Sequence, residues 1–280
     1  MKSFFENKVA VVTGAGGTLC SEIAVFLGKQ GAKVALIGRT AEKLQPVAEK
    51  ITANGGTALI LTADVTDEAR MIEVGKEVEE KLGACSFLVS GAGGNQSTAM
   101  TTAIEYAPEE LEEGYEGRGF FNLDMNTYTS VLNINTVGTV IACRVFGAQM
   151  AKNGGGSIIN FASMNAYCPL TRVPAYAMSK AAISNFTQWL AGYLAPAGVR
   201  VNAIAPGFFV NDRSVKFLGT PETGLTPRGQ QVISHTPMAR FGKPEDLLGC
   251  VEWLLDDEKS AFVSGITVAV DGAFLCRSGV

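Results

Sequence analysis

Short runs of aliphatic and β-branched residues alternate along the chain with longer stretches whose apolar residues recur at helical spacing. The short runs predict strands at Lys8–Thr13, Lys33–Ile37, Ala58–Leu61, Phe87–Ser90, Ser157–Phe161, Arg200–Ile204 and Thr267–Val270. The longer stretches predict helices near 18–30, 41–54, 67–82, 127–152, 175–195 and 244–256. Apolar strands alternating with helices form a parallel sheet covered on both faces. Right-handed crossovers then give an α/β, doubly wound Rossmann fold with seven parallel strands, expected in the order 3-2-1-4-5-6-7. No internal repeat and no Pro/Ser-rich linker interrupts the alternation, so one domain over residues 1–280 is expected. Two segments fit neither pattern. Residues 95–126 are rich in Glu and turn formers and read as a lid-like insertion; residues 206–240 read as a substrate loop.

Composition narrows the classes. Of 280 residues, 47% are hydrophobic, enough for a sizeable core. The net charge is -4 and no basic stripe appears, which argues against nucleic acid as a partner. No uncharged apolar run approaches the roughly 18 residues of a bilayer span, so no membrane partner is expected. Met1 to Lys8 show no apolar core of a secretory signal. The six cysteines have no metal-ligand spacing and there is one histidine, so no metal site is expected. Scattered thiols of this kind read as reduced, in a cytoplasmic enzyme.

The first strand runs into Thr13-Gly14-Ala15-Gly16-Gly17 and then a helix opening at Thr18 and Leu19. Glycines let a backbone approach a pyrophosphate closely, and the helix N-terminus offers free N–H groups and a positive dipole end. Asp64-Val65 after the third strand are placed to meet the adenine, and Ala92-Gly93 after the fourth to line the same crevice. The second strand ends Gly38-Arg39-Thr40, with no acid to bind a ribose 2′-hydroxyl. Arg39 therefore favours NADP(H), with NAD(H) left open.

Tyr176 and Lys180 stand at i and i+4, on one helical face, and Ser163 closes the fifth strand at the carboxyl edge of the sheet. An ammonium beside a phenol favours phenolate and lowers its pKa, so that the tyrosine trades a proton near neutral pH. Ser163 would hold the substrate oxygen.

With these residues in this order the chain resembles the short-chain dehydrogenase/reductase family over nearly its whole length. The matching stretches are Thr13-Gly14, Asp64, Ala92-Gly93, Asn135 in Asn-Thr-Val-Gly, Ser163, Tyr176-Ala-Met-Ser-Lys180, Pro206-Gly207 and Asp271-Gly272. The resemblance implies that Asn135 joins Ser163, Tyr176 and Lys180 as a fourth catalytic member, holding a relay water to Lys180. It also implies that Pro206, Gly207, Tyr176 and Lys180 contact the cofactor, and that the assembly is a homotetramer or homodimer. The chain departs from the family pattern at Thr18 and Cys20, where glycines are usual, and at Gly91, where Asn is usual. Side chains at the first two positions would crowd the pyrophosphate or the helix–strand contact.

The closer resemblance is to the D-mannonate oxidoreductase (fructuronate reductase) branch. It rests on Gly-Ala-Gly-Gly-Asn95, Ser163-Met-Asn-Ala166, Pro169-Leu-Thr-Arg-Val-Pro174, Asn185-Phe-Thr-Gln-Trp-Leu190, Ala205-Pro-Gly-Phe-Phe209, His235-Thr-Pro-Met238, Arg240-Phe-Gly242 and Ser278-Gly-Val280. A ketouronate is a polyhydroxylated anion, which calls for a cation and several amide or hydroxyl partners. Asn165, Arg172, Arg228 and His235 are the candidates for substrate binding, with Arg172 or Arg228 beside Asn165 on the carboxylate. The expected reaction is NAD(P)-dependent interconversion of a sugar-acid alcohol and its ketone, D-mannonate and D-fructuronate. A reductase of another polyol, gluconate or 3-oxoacyl substrate uses the same scaffold, and a non-catalytic nucleotide sensor is the alternative from another class.

Overall fold

The computed structural model describes residues 3–210, 214–220 and 223–277. The Ser278-Gly-Val280 motif, with 211–213 and 221–222 of the substrate loop, lies outside the described residues. Seven strands form the sheet: β1 Val9–Thr13, β2 Lys33–Gly38, β3 Thr57–Thr62, β4 Cys85–Ser90, β5 Gly156–Phe161, β6 Val199–Pro206 and β9 Thr267–Val270. They pair in the order β3-β2-β1-β4-β5-β6-β9, all parallel, which is the expected 3-2-1-4-5-6-7. The last number differs because a two-stranded hairpin, β7 Gly219–Thr220 with β8 Gly224–Leu225, intervenes in the substrate loop.

Period two along β1 divides the core. Ala10 and Val12 pack into one cluster with α1 (Thr18–Lys29), α2 (Ala41–Ala53) and α9 (Leu248–Leu255), while Val9 and Val11 pack into the other. That second cluster holds α3 (Glu68–Lys81), α5 (Val137–Lys152) and part of α6 (Pro174–Leu194). Every residue of β1 is buried, so this strand carries no alternation of polar and apolar residues.

Local chemistry starts the helices. Asp67 accepts the Arg70 amide at the head of α3, and Asp124 accepts the Thr127 amide at the head of α4 (Met125–Asn135). Pro174 opens α6, where its missing N–H costs nothing. The single helix expected over 127–152 is two, α4 and α5, broken at Thr136 with φ -105 and ψ -65. Together they span Met125–Lys152, long and apolar enough by composition to cross a bilayer, but half of the most apolar window is buried within the fold.

The substrate loop holds α7 (Val215–Leu218), the hairpin and α8 (Pro227–His235), and its base is closed by a bridge between Phe209 and Gly242. Short α10 (Asp257–Ser260) precedes β9. The 95–126 insertion contains three 3-10 turns and runs into the start of α4. Cys20, Cys85 and Cys143 are buried and Cys250 half-buried, and burial pushes all four thiols up, Cys20 to about 12 and Cys250 to about 11. Cys168 and Cys276 are exposed.

Candidate active site

The carboxyl ends of β1, β4 and β5 meet at one crevice. Gly14 takes φ +67, and a Cβ there would come within 2.9 Å of the Ala92 backbone, so the first turn and the end of β4 touch main chain to main chain. The Thr13 hydroxyl accepts the Ala92 amide at 3.1 Å and ties the two strands. Gly17 is the N-cap of α1 and makes no side-chain cap, and the first-turn amides at Thr18 and Leu19 point out of the helix start. The glycine-lined turn, the helix terminus and the Gly91–Gly94 edge fit a dinucleotide: α1 offers N–H groups to a pyrophosphate, as the sequence leads one to expect.

Thr18 and Cys20, the two positions where crowding is expected, point to different places. Thr18 is exposed, and Cys20 turns into the core, 4% exposed. A Cβ at residue 91 would overlap the Cys20 sulfur. The two departures from the family pattern therefore answer each other: a side chain at 20 fills the space that glycine at 91 leaves. The strand tie at this place is the bond from Ala92 to Thr13.

Further along the cofactor crevice, Arg39 follows β2 with its Nη1 4.0 Å from Asp64 Oδ2. Asp64 itself accepts the Thr66 amide and hydroxyl at 2.9 and 2.7 Å. Its pKa lies below the usual value: burial pushes it up, but the Thr66 bonds and Arg39 together outweigh that. Val65 is 4% exposed and packs on Gly138, so its side chain is wall and not ligand. Gly16 lies against Lys43, Pro206 is buried at the end of β6, and the Gly207 amide donates to Val270 O at 3.0 Å.

Ser163, Tyr176 and Lys180 come together. Tyr176 stands near Ser163, whose side chain pulls the phenol's pKa down. Lys180 Nζ lies 5.5 Å from the Tyr176 ring centroid and donates to Phe161 O at 2.7 Å. Burial pushes Lys180 down to about 8, against a small opposing pull from Cys20. The expected lowering of the Tyr176 pKa by Lys180 is not found. Burial raises Tyr176 and the Ser163 side chain offsets only part of that, while the ammonium is turned to the Phe161 carbonyl.

Asn135 is fully buried at the α4–α5 break. Its Oδ1 accepts the Gly94 amide at 3.1 Å, and its Nδ2 donates to Gly94 O at 2.7 Å and Val131 O at 2.8 Å. The side chain thus fastens the β4 edge to the break. A Cβ at Gly93 would collide with Asn135 Oδ1 and lie 3.6 Å from Lys180 Nζ, which puts Asn135 and Lys180 together beside that glycine.

The substrate candidates divide. Asn165 is 6% exposed and committed at both ends: Oδ1 accepts the Leu170 amide at 3.0 Å and Nδ2 donates to Ser163 Oγ at 3.3 Å. It therefore positions Ser163, and one Nδ2 hydrogen remains for a substrate oxygen. His235 is exposed at the end of α8, where it bonds Gln231 O at 2.9 Å and lies 6.5 Å from the Phe274 ring. Arg240 is held by Asp246 at 2.6 and 3.1 Å. Arg172 and Arg228 are different. Arg228 is half-buried and its pKa is lowered, first by burial and then by the Arg172 charge. Among the described residues no carboxylate pairs with either; Arg228 Nη1 reaches only Gln231 Oε1 at 2.8 Å. Arg172 also takes φ +72, and its carbonyl accepts the Thr101 amide from the insertion at 3.0 Å.

Two contributors escaped the sequence reading, the Phe161 carbonyl under Lys180 and the insertion's hold on Arg172. Backbone acceptors and distant partners leave no residue-type signal.

Known proteins resemble this chain in sequence and fold. Residues 8–217 match the short chain dehydrogenase family. The chain is 46% identical over 274 residues to Uncharacterized oxidoreductase UxuB of Bacillus subtilis, covering 98% of this chain and 97% of that one. It is 30% identical over 273 residues, 97% of each chain, to 2-dehydro-3-deoxy-D-gluconate 5-dehydrogenase of Dickeya dadantii. A crystal structure from Haemophilus influenzae, provisionally described as a D-mannonate oxidoreductase with bound NAD, superposes with a TM-score of 0.92 at 41% identity, covering 98% of this chain and 97% of that one. The chain belongs to the short-chain dehydrogenase/reductase family, oxidoreductases that act on CH–OH groups with a nicotinamide cofactor.

Proposed function

We propose that the protein interconverts D-mannonate and D-fructuronate. The observation that carries this reading is that Arg228, half-buried, feels the Arg172 charge, while among the described residues neither arginine forms an ion pair with a carboxylate. Like charges side by side are unfavourable unless an anion joins them, and a sugar carboxylate is the anion that matches two forks. The Haemophilus neighbour, provisionally described as a D-mannonate oxidoreductase, supports the same reading.

In the reducing direction the nicotinamide cofactor supplies the hydride to the ketone carbon. The chain's own residues do the rest. Ser163 Oγ, pinned by the Asn165 amide at 3.2 Å, receives the substrate oxygen. Tyr176, held in its phenol form by burial, gives that oxygen its proton. Lys180, fixed on Phe161 O, sets the charge beside the phenol and faces the Gly93 edge where the cofactor ribose is expected. Asn135 keeps that edge in register. Hydride and proton together convert ketone to alcohol, and the tyrosine regains its proton from solvent. Arg39, with no acid ending β2, favours NADP(H) over NAD(H).

A second reading, another sugar acid such as a keto-deoxygluconate, is favoured by the Dickeya relative and uses the same arginines. The test is turnover of D-fructuronate with NADPH and NADH in parallel, repeated with Arg228→Ala. Fast oxidation of the reduced cofactor, with kcat/KM falling roughly 30-fold or more in the variant and mainly through KM, is expected. Turnover of neutral ketoses but not of D-fructuronate would overturn the reading. We further propose that the chain works in the cytoplasm as a homo-oligomer through the outward face of α6, where Trp189 and Tyr193 are 59% and 68% exposed and stack at 5.1 Å.

A further inference from the structure

The insertion between β4 and α4 contains a polar feature that the reaction does not use. Glu110 sits in the 3-10 turn Pro108–Leu111 and is 7% exposed. Its Oε2 is the one buried side-chain atom among the described residues that lacks a hydrogen-bond partner. The chain makes room for this carboxylate: a Cβ at Gly119 would collide with it, so the acid lies flat on the glycine backbone. Arg118, next in sequence to that glycine, makes no ion pair with it; its Nε donates to Met100 O at 3.2 Å.

Glu110 is one of the residues that line a cavity of about 340 Å³. Ile104, Tyr106, Phe120 and Phe121 form its walls, with Glu105 beside them. Tyr106 meets Phe121 edge-on at 6.0 Å, and Phe120 meets Phe121 at 5.5 Å. These four side chains are 56–68% exposed, although large apolar groups are usually covered. A buried acceptor without a donor is costly, and most such atoms in proteins find a partner. A metal ion does not answer it, since among the described residues no group of three His, Cys, Asp or Glu is arranged to hold one. Aromatic walls around an anionic floor recognise an organic cation, whose apolar body lies on the rings while its N–H groups reach the carboxylate. The volume is at the small end of ligand pockets, room for about one ring and a short amine.

We propose that the insertion binds a small arylalkylammonium-type cation, with Glu110 as its counter-ion and Tyr106, Phe120 and Phe121 as its walls. No residue of this pocket belongs to the catalytic group, and the proposal does not depend on which sugar acid the enzyme turns over.

The test is calorimetric titration of the full chain with 2-phenylethylammonium and with its neutral counterpart 2-phenylethanol, on wild type and on Glu110→Gln. The charge-neutral variant keeps the shape of the side chain. The ammonium is expected to bind wild type and to bind Glu110→Gln at least about tenfold more weakly, while the alcohol binds both alike. Gly119→Ala, which displaces the carboxylate, is expected to lose the ammonium too. Unchanged cofactor binding in both variants shows that they remain folded; should Glu110→Gln fail this check, Glu110→Asp takes its place. Equal affinity of the ammonium for wild type and variant would overturn the proposal, as would equal affinity of wild type for ammonium and alcohol. Absence of ammonium binding at about 10 mM together with loss of self-association in Glu110→Gln would also overturn it, assigning the pocket to a basic side chain of a second copy.

Discussion

Lys180 is 5% exposed, and burial pushes it down to about 8 from 10.5. Below about pH 8 the folded protein holds a buried charge at a cost on the order of 3 kcal/mol. Between about pH 8 and 10.5 the unfolded chain binds this proton and the folded chain does not, so this group's contribution to stability rises with pH through that window. Lys180→Met also removes the bond to Phe161 O, which offsets part of the gain. The expected result near pH 7 is a variant more stable by about 1 kcal/mol, its melting point up by roughly 2 to 4 °C, with the advantage shrinking toward pH 10. Thermal melts at the two pH values check both sign and window. Tyr176→Phe, in contrast, is expected to lower kcat roughly 1,000-fold while cofactor binding, read by fluorescence titration, stays intact. Unchanged turnover in that variant would point to another proton donor. The residue types and spacing of this group were readable in the chain. The direction of the Tyr176 shift was not, because it depends on the phenol being buried and on the ammonium bonding a backbone carbonyl.

Between elements, α1 and β4 meet through Cys20 and Gly91. A methyl at 91 would overlap the Cys20 sulfur, so Gly91→Ala is expected to destabilise the fold by about 1–3 kcal/mol, measured by chemical denaturation. Restoring the usual residues together, Cys20→Gly with Gly91→Asn, is expected to cost at least about 1 kcal/mol less than the sum of the single changes. Each departure from the family pattern is visible in the sequence, but their contact is not, since positions 20 and 91 meet only after the sheet forms. The same limit explains the helix break at Thr136. Apolar periodicity runs on through 127–152, and only the packing of Asn135 against Gly94 marks the division. In the substrate loop α8 did leave a local sign, Thr226 followed by Pro227. The Thr226 hydroxyl accepts the Gly229 amide at 3.0 Å as a helix cap.

Across the whole molecule, strand order was legible because apolar runs and crossover handedness leave few alternatives. Association was less so. The outward face of α6 shows Met178 and Trp189 at 50% and 59% exposure, and helix periodicity cannot distinguish such a face from one that packs inside its own chain. Trp189→Glu is expected to convert a dimer or tetramer to monomer, read by light scattering with gel filtration. An unchanged mass would assign self-association to another face.

The distribution of the thiols has a practical consequence. Four of the six cysteines are buried or half-buried and held as unreactive thiols, which leaves Cys168 and Cys276 for a maleimide dye. Cys168 lies in the turn between Ser163 and Arg172, and Cys276 in the C-terminal segment whose Phe274 packs on Phe208 at 5.5 Å. Nature has thus left one attachment point on the catalytic turn and one on the support of the substrate loop. A donor and acceptor dye at these two positions would report the separation of those segments in single molecules during turnover, without removing any native cysteine.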